Sequence, residues 1–179
     1  MIRLFAALPI PEEIAEGLVR RQRGIPRAKW RTTEQMHITL RFFGDVPESV
    51  AADIDTELGA VTGPPLELSL QGVGAFGDGH TMRALWAGVS DSPELRQLAG
   101  RCEAAARRAG LKPEARAYRP HVTLAYLKRA DSGRVGAWVQ GHNLLRSPGF
   151  RADRFGLYSS WSSPEGNRYD LEREYPLLG

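Results

Sequence analysis

Two of the chain's four histidines stand in one four-residue frame: His37-Ile38-Thr39-Leu40 and His121-Val122-Thr123-Leu124. On a strand, side chains alternate between faces, so His37 and Thr39 share one face and Ile38 and Leu40 the other. The same holds for His121 and Thr123 against Val122 and Leu124. Each strand would anchor by its aliphatic side and offer an imidazole and a hydroxyl on the opposite side. Two converging imidazoles suit an in-line displacement at phosphorus. One takes a proton from the attacking nucleophile while the other gives a proton to the leaving oxygen, and an ordinary pKa of about 6.5 fits histidine for both. Threonine hydroxyls can donate to the non-bridging phosphoryl oxygens, where charge builds in the transition state. A single H-x-T on a strand is usually a filler or surface feature; two copies in matching apolar frames are a chemical signal.

Other chemistries find less support. His37 and His121 lack a third ligand, and no H-E-x-x-H run is present, so neither a metal nor a cofactor is expected. No G-x-S-x-G supports a serine nucleophile. Asp45 reads as a turn residue. "GVGAFG" lacks the P-loop lysine and a following helix pattern, which leaves a strand and a turn. Cys102, the only cysteine, falls in an alanine-rich helical pattern and reads as core. His80 and His142 sit in turn-like contexts and read as surface residues.

The elements that must position the two motifs can be read from periodicity. "IRLFAALP" is a buried strand ended by Pro9, and a helix follows from Pro11 to about Gln22, with Ile14, Leu18 and Val19 toward its apolar face. Val50, Ile54, Leu58 and Val61 have helical spacing after the first motif. "LELSLQGVGAFG" and "RALWAGV" read as strands of a hairpin. The clearest helix starts at Ser92-Pro93 and ends at Gly110. "SGRVGAWVQGH" reads as a short helix, "FRADRFGLYSSW" as a strand, "SSPEGNR" as a turn and "YDLEREYPL" as a last strand. Seven or eight strands and three or four helices without strict alternation predict an α+β fold. Each motif strand has a polar approach and a following helix, which points to an internal duplication giving two similar lobes.

The bulk numbers are permissive. A chain of 179 residues, 42% hydrophobic and 25% charged, fits one soluble globular domain, residues 1–179, with two lobes. A net charge of +3 and a pI near 9.3 lean mildly toward anionic partners. One cysteine excludes an intramolecular disulfide and suits a reducing cytoplasm. No window approaches a membrane span, so no membrane association is expected.

With these flanks, "MHITLRFFGDV" and "RPHVTLAYL" resemble the two motifs of the two-histidine phosphoesterase superfamily, specifically its RNA 2′,3′-cyclic phosphodiesterase branch, also called the 2′-5′ RNA ligase family. "MIRLFAALPIPEEI", "FGLYSSW" and "GNRYDLEREYPL" are similar to its opening and closing elements, so the resemblance spans almost the whole chain. It implies a bilobal α+β fold with a central cleft between two pseudo-symmetric lobes. It implies metal-independent hydrolysis of 2′,3′-cyclic phosphate ends of RNA to 2′-phosphates, with reversible 2′-5′ RNA ligation in some members. Partners would be RNA ends, tRNA fragments or small nucleotides carrying that group, and the protein would be a monomer by default. Carried over, His37 and His121 are the general acid-base pair, and Thr39 and Thr123 bind phosphate. Many relatives carry arginine two residues after the second motif's leucine, where this chain has Tyr126. Arg41, on the face of His37 and Thr39 if no bulge intervenes, or a nearby cation such as Arg129, would then replace it; the alternative for Arg41 is a solvated strand residue. Phe42 and Tyr126 are base-stacking candidates or else core or rim residues. Two competing readings are an RNA-end binding module and a phosphodiesterase for small cyclic nucleotides or 2′-5′ oligonucleotides.

Overall fold

A computed structural model describes residues 1–178, the side chain of His80 excepted, so the expectation for that histidine lies outside the described residues. The chain order is β1 (Ile2–Pro9), α1 (Glu12–Val19), β2 (Lys29–Trp30), β3 (His37–Val46), α2 (Glu48–Gly59), β4 (Leu66–Leu68), β5 (Leu70–Phe76), β6 (Ala84–Val89), α3 (Pro93–Arg108), β7 (His121–Tyr126), α4 (Ser132–His142), β8 (Phe150–Ala152), β9 (Arg154–Ser163) and β10 (Gly166–Pro176). The fold is α+β, and every strand pair is antiparallel.

The main sheet runs β10-β9-β1-β3-β7-β6-β5, with β2 lying along β7; β4 and β8 form a small second sheet. Two runs of elements repeat in order: β1-α1-β3-α2-β4-β5 and β6-α3-β7-α4-β8-β9. The sheet order mirrors this about the β3/β7 seam, where β3 answers β7, β1 answers β6 and β9 answers β5. The last strand of each half pairs with the first strand of the other: β5 with β6, and β9 with β1. The repeated motif therefore comes from a repeated unit, and each of the two lobes is built from both halves of the chain.

Local sequence explains the elements that carry the seam. β1 is flanked on both edges by strands, and its apolar run Leu4–Leu8 is wholly buried. In α3 the Ser92 hydroxyl accepts from the Leu95 amide at 3.1 Å, Pro93 fits the first turn, and Gly110 ends the helix at φ +93°. Leu95, Leu98, Ala99, Cys102, Ala105 and Ala106 are its buried stripe. In α4 the Asp131 carboxylate accepts from the Gly133 and Arg134 amides. "GVGAFG" is strand β5, and Gly74 leaves room for the Trp86 indole: a Cβ there would lie 2.3 Å from the ring.

Some expectations shift. The first helix stops at Val19, and Val19 is exposed while Ala15 and Leu18 are buried, because the helix is too short to turn a third residue inward. The closing hairpin is longer than expected, since the polar "SSPEGNR" stretch continues both strands up to a tight turn. The two-residue β2 has too little length for any periodicity to reveal it. No helix of the described residues is long and apolar enough to cross a membrane.

Candidate active site

The lobes meet where β3 and β7 touch, through one residue pair, Ile38 with Val122. Continuing that antiparallel register by one residue each way puts His37 opposite Thr123 and Thr39 opposite His121. Ile38, Leu40, Val122 and Leu124 are buried in the same core cluster as Leu58 of α2, Cys102 of α3 and Val135 of α4. The imidazoles and hydroxyls form the half-buried opposite face. The four motif residues are thus brought together as strand alternation predicts.

Each imidazole is oriented by the backbone carbonyl two residues before it. His37 Nδ1 lies 2.9 Å from the Gln35 oxygen, and His121 Nδ1 lies 2.6 Å from the Arg119 oxygen. A carbonyl only accepts, so both Nδ1 atoms carry protons and both Nε2 atoms are left for chemistry. His37 Nε2 sits 3.0 Å from the Thr39 hydroxyl, which donates to it when the ring is neutral. Thr123 Oγ1 makes no hydrogen bond within the described residues. The rings are wedged by aromatics. His37 stacks on Phe5 at 4.7 Å and meets the edge of Tyr169 at 5.4 Å. His121 meets Phe76 edge-on at 4.9 Å.

The two rings differ electrostatically. Burial lowers the His37 pKa to about 4; the Gln35 carbonyl opposes this, and the charges of Arg31 and His121 add to it. Burial also lowers the His121 pKa below 6.5, against the pull of the Arg119 carbonyl, without an arginine charge acting on it. Of the two, His37 is held more firmly neutral.

Both motif strands slip by one residue at the motif's leucine. β1 matches Ala7 with Thr39 and Ala6 with Arg41, leaving Leu40 unmatched. β6 matches Trp86 with Thr123 and Leu85 with Ala125, leaving Leu124 unmatched. Each bulge re-phases the strand beyond it. The expectation that Arg41 shares the face of His37 and Thr39 is therefore corrected: the bulge at Leu40 turns it toward α3. Arg41 is only 9% exposed, its guanidinium bonds both Glu103 carboxylate oxygens at 3.1–3.2 Å, and Nη2 donates to the Lys112 carbonyl at 2.8 Å. The same bulges deliver Phe42 and Tyr126 to the motif face, where both are exposed and each carries an arginine on its ring. Arg3 lies 5.0 Å from the Phe42 centroid, and Arg31 lies 4.9 Å from that of Tyr126. Arg129 stands beyond the end of β7 on an exposed turn with φ +52°, and it makes no hydrogen bond or ion pair with the motif residues. His142 is half-buried rather than a surface residue, 2.9 Å from Arg21 Nη1 and 4.7 Å from the Trp138 ring.

The site also contains residues that no motif marked: Arg31, Phe5, Tyr169, Phe76 and Trp86. A groove of about 400 Å³ reaches Gln35 and Tyr169, neighbours of His37, and is lined also by Glu34, Trp161, Glu165 and Arg168 but by none of the four motif residues. It begins at the two residues that hold the His37 ring and runs along the β9–β10 hairpin.

Fold and site together define a duplicated α+β protein that joins two imidazoles and two threonine hydroxyls at one sheet seam. The family model of the 2′-5′ RNA ligase superfamily matches residues 10–161. An Archaeoglobus fulgidus protein named RNA 2′,3′-cyclic phosphodiesterase is 32% identical over 73% of this chain and 75% of its own length. An Escherichia coli protein of the same name is 30% identical over 98% of this chain and 96% of its own. Among solved structures, Escherichia coli LigT complexed with 3′-AMP superposes with a TM-score of 0.81 at 25% identity, over 99% of both chains. The chain belongs to the 2′-5′ RNA ligase superfamily.

Proposed function

We propose that this protein is an RNA 2′,3′-cyclic phosphodiesterase that opens the cyclic phosphate to a 2′-phosphate by a histidine pair. The observation that carries the reading is the matched orientation of the two rings. Each Nδ1–H is tied to the carbonyl two residues upstream, so each Nε2 is turned to the shared face at the seam, where His37 Nε2 meets only the hydroxyl of its own motif's Thr39 and His121 Nε2 makes no hydrogen bond within the described residues. The name carried by the full-length Escherichia coli relative supports the substrate.

In this mechanism neutral His37 takes the proton from a water molecule through Nε2 as the water oxygen bonds to phosphorus. The bond from phosphorus to the 3′-oxygen breaks, and His121 Nε2–H delivers its proton to that oxygen. The products are a 2′-phosphate and a 3′-hydroxyl. The stronger depression of the His37 pKa supports this order of base and acid. Thr39 and Thr123 donate to the non-bridging oxygens, and Thr39 rotates its hydroxyl away from His37 as that nitrogen takes its proton. A 5′-hydroxyl of a second RNA in place of water would give a 2′-5′ linkage by the same steps. A pure RNA-end binding module would need cations more than two tautomer-fixed imidazoles. The buried single thiol of Cys102 accords with a cytoplasmic setting.

The test is hydrolysis of a 2′,3′-cyclic phosphate-ended RNA in EDTA by wild type, His37→Ala and His121→Ala. Wild type should form the 2′-phosphate, and each variant should lose on the order of 10²–10⁴-fold in kcat. Full activity in either variant would end the two-histidine assignment.

A further inference from the structure

Arg31 is the one site residue whose presence the fold does not account for. It is 8% exposed, yet no carboxylate among the described residues pairs with it. Its side chain makes one hydrogen bond, from Nη2 to the Tyr169 hydroxyl at 3.0 Å. The guanidinium lies between two rings, 4.9 Å from the Tyr126 centroid and 5.8 Å from that of Tyr169. Trp86 Nε1 is the only buried, unpartnered side-chain polar atom among the described residues, so the remaining Arg31 N–H groups are not sealed in protein. Tyr169 joins Arg31 to the cleft: its hydroxyl accepts from Arg31 Nη2, its ring meets the edge of His37, and the Arg31 charge is felt at the His37 ring. Two other cations of the motif strands' surroundings are paired with carboxylates, Arg3 with Asp45 and Arg41 with Glu103, whereas Arg119, two residues before His121, is exposed.

A guanidinium taken out of water without a counter-ion is costly, and the cost is recovered only when an anion arrives. The local structure holds Arg31 in place. Its amide donates to the Leu124 carbonyl at 2.9 Å, and its own carbonyl accepts from Gln22 Nε2 at 2.7 Å. Its backbone is thereby bound to the second motif strand, and the Tyr126–Tyr169 sandwich fixes the fork.

We infer that Arg31 is the anion-binding cation of the cleft: its free N–H groups take the non-bridging oxygens of a phosphoryl group held between His37 and His121. The inference deepens the phosphodiesterase reading and rests on it for the identity of the anion. It adds an electrostatic clamp where the two threonines alone would supply neutral donors.

The experiment is inorganic phosphate binding, followed through the imidazole nitrogen resonances of His37 and His121, in wild type, Arg31→Met, Arg31→Lys and Arg151→Met. Wild type should saturate and shift both rings. Arg31→Met should weaken binding on the order of tenfold to a hundredfold, the size of charge-assisted hydrogen bonds lost. Arg31→Lys should fall between, since an ammonium keeps the charge but not the fork. Arg151→Met, on the separate small sheet, should bind as wild type. A thermal melt in phosphate-free buffer provides a second readout. Removing an uncompensated charge while keeping similar bulk should leave Arg31→Met at least as stable as wild type, whereas a merely structural arginine would lower its melting temperature. Wild-type affinity in Arg31→Met overturns the inference. If that variant does not fold, wild-type affinity in folded Arg31→Lys overturns it equally. If wild type binds phosphate through Arg31 yet leaves cyclic-ended RNA intact, the reaction assignment falls and the anion site stands.

Discussion

An imidazole whose Nδ1–H is tied to a carbonyl has one nitrogen left, and its pKa decides what that nitrogen does. His37, lowered to about 4 by burial first and by Arg31 and His121 in addition, is a free base across the neutral range. His121, lowered from 6.5 by burial, acts as an acid only while it still holds its proton. The sign of each effect fixes a pH profile for the free enzyme. kcat/KM should rise as pH climbs through about 4, where His37 loses its proton. It should fall again below pH 6.5, as His121 loses its own. The optimum therefore lies on the acid side of the ordinary histidine value. Rates on a 2′,3′-cyclic nucleotide between about pH 3 and 8 measure this directly. A flat profile, or an optimum well above 7, would show that the two rings do not divide the labour in this way.

At the scale of strands, the bulges at Leu40 and Leu124 decide which side chains reach the cleft. The pairing of His37 with Thr39 and of His121 with Thr123 was legible because alternation over three residues survives any later slip. Arg41 was not legible, because its face depends on a register shift one residue upstream, and a bulge at an ordinary leucine leaves no sequence mark. Arg31 was hidden for a different reason: β2 and the residue after it are carried to β7, far along the chain, by a pairing too short to show periodicity. The α+β class and the duplicated lobes were legible because element order repeats with the motif, whereas the exchange of β5 and β9 between halves is a matter of topology that no local pattern encodes. The corrected place of Arg41 carries its own prediction. Arg41→Ala takes from Glu103, a partly buried carboxylate, its main ion-pair partner and should cost about 1–3 kcal/mol in a denaturant titration, less than a fully buried pair because Glu103 keeps some solvent, Arg107 and the Glu114 amide. Its kcat/KM on a cyclic nucleotide should stay within about twofold of wild type, since the side chain lies across the sheet from the chemistry. A large loss of activity at unchanged stability would return Arg41 to the cleft.

For the molecule as a whole, the shared strands tie the site to global stability. Neither lobe can open without losing a strand that the other half supplies, so Trp86 in one lobe and Trp161 in the other should report one cooperative transition. The buried histidines make that transition pH-dependent. The His37 pKa is about 4 in the folded chain against an ordinary 6.5. Between those values the unfolded chain holds a proton at this position that the folded chain does not, so stability falls as pH drops through the window. The loss from this group begins near pH 6.5, grows steadily and levels off below about 4. His121 contributes with the same sign. Carboxylates such as Glu103, lowered in the folded state against the cost of burial by its hydrogen bonds and arginine neighbours, add a further loss at lower pH. The His37 share is therefore read as a difference between two proteins. The denaturant midpoint of wild type should fall relative to that of His37→Gln as pH is lowered from about 7 to about 4, because only in wild type does the unfolded chain bind a proton at this position that the folded chain does not. Parallel curves across the window would mean that His37 binds its proton equally well in the folded and unfolded chain, so the cleft does not hold it neutral. The base role assigned to it would then rest on orientation alone.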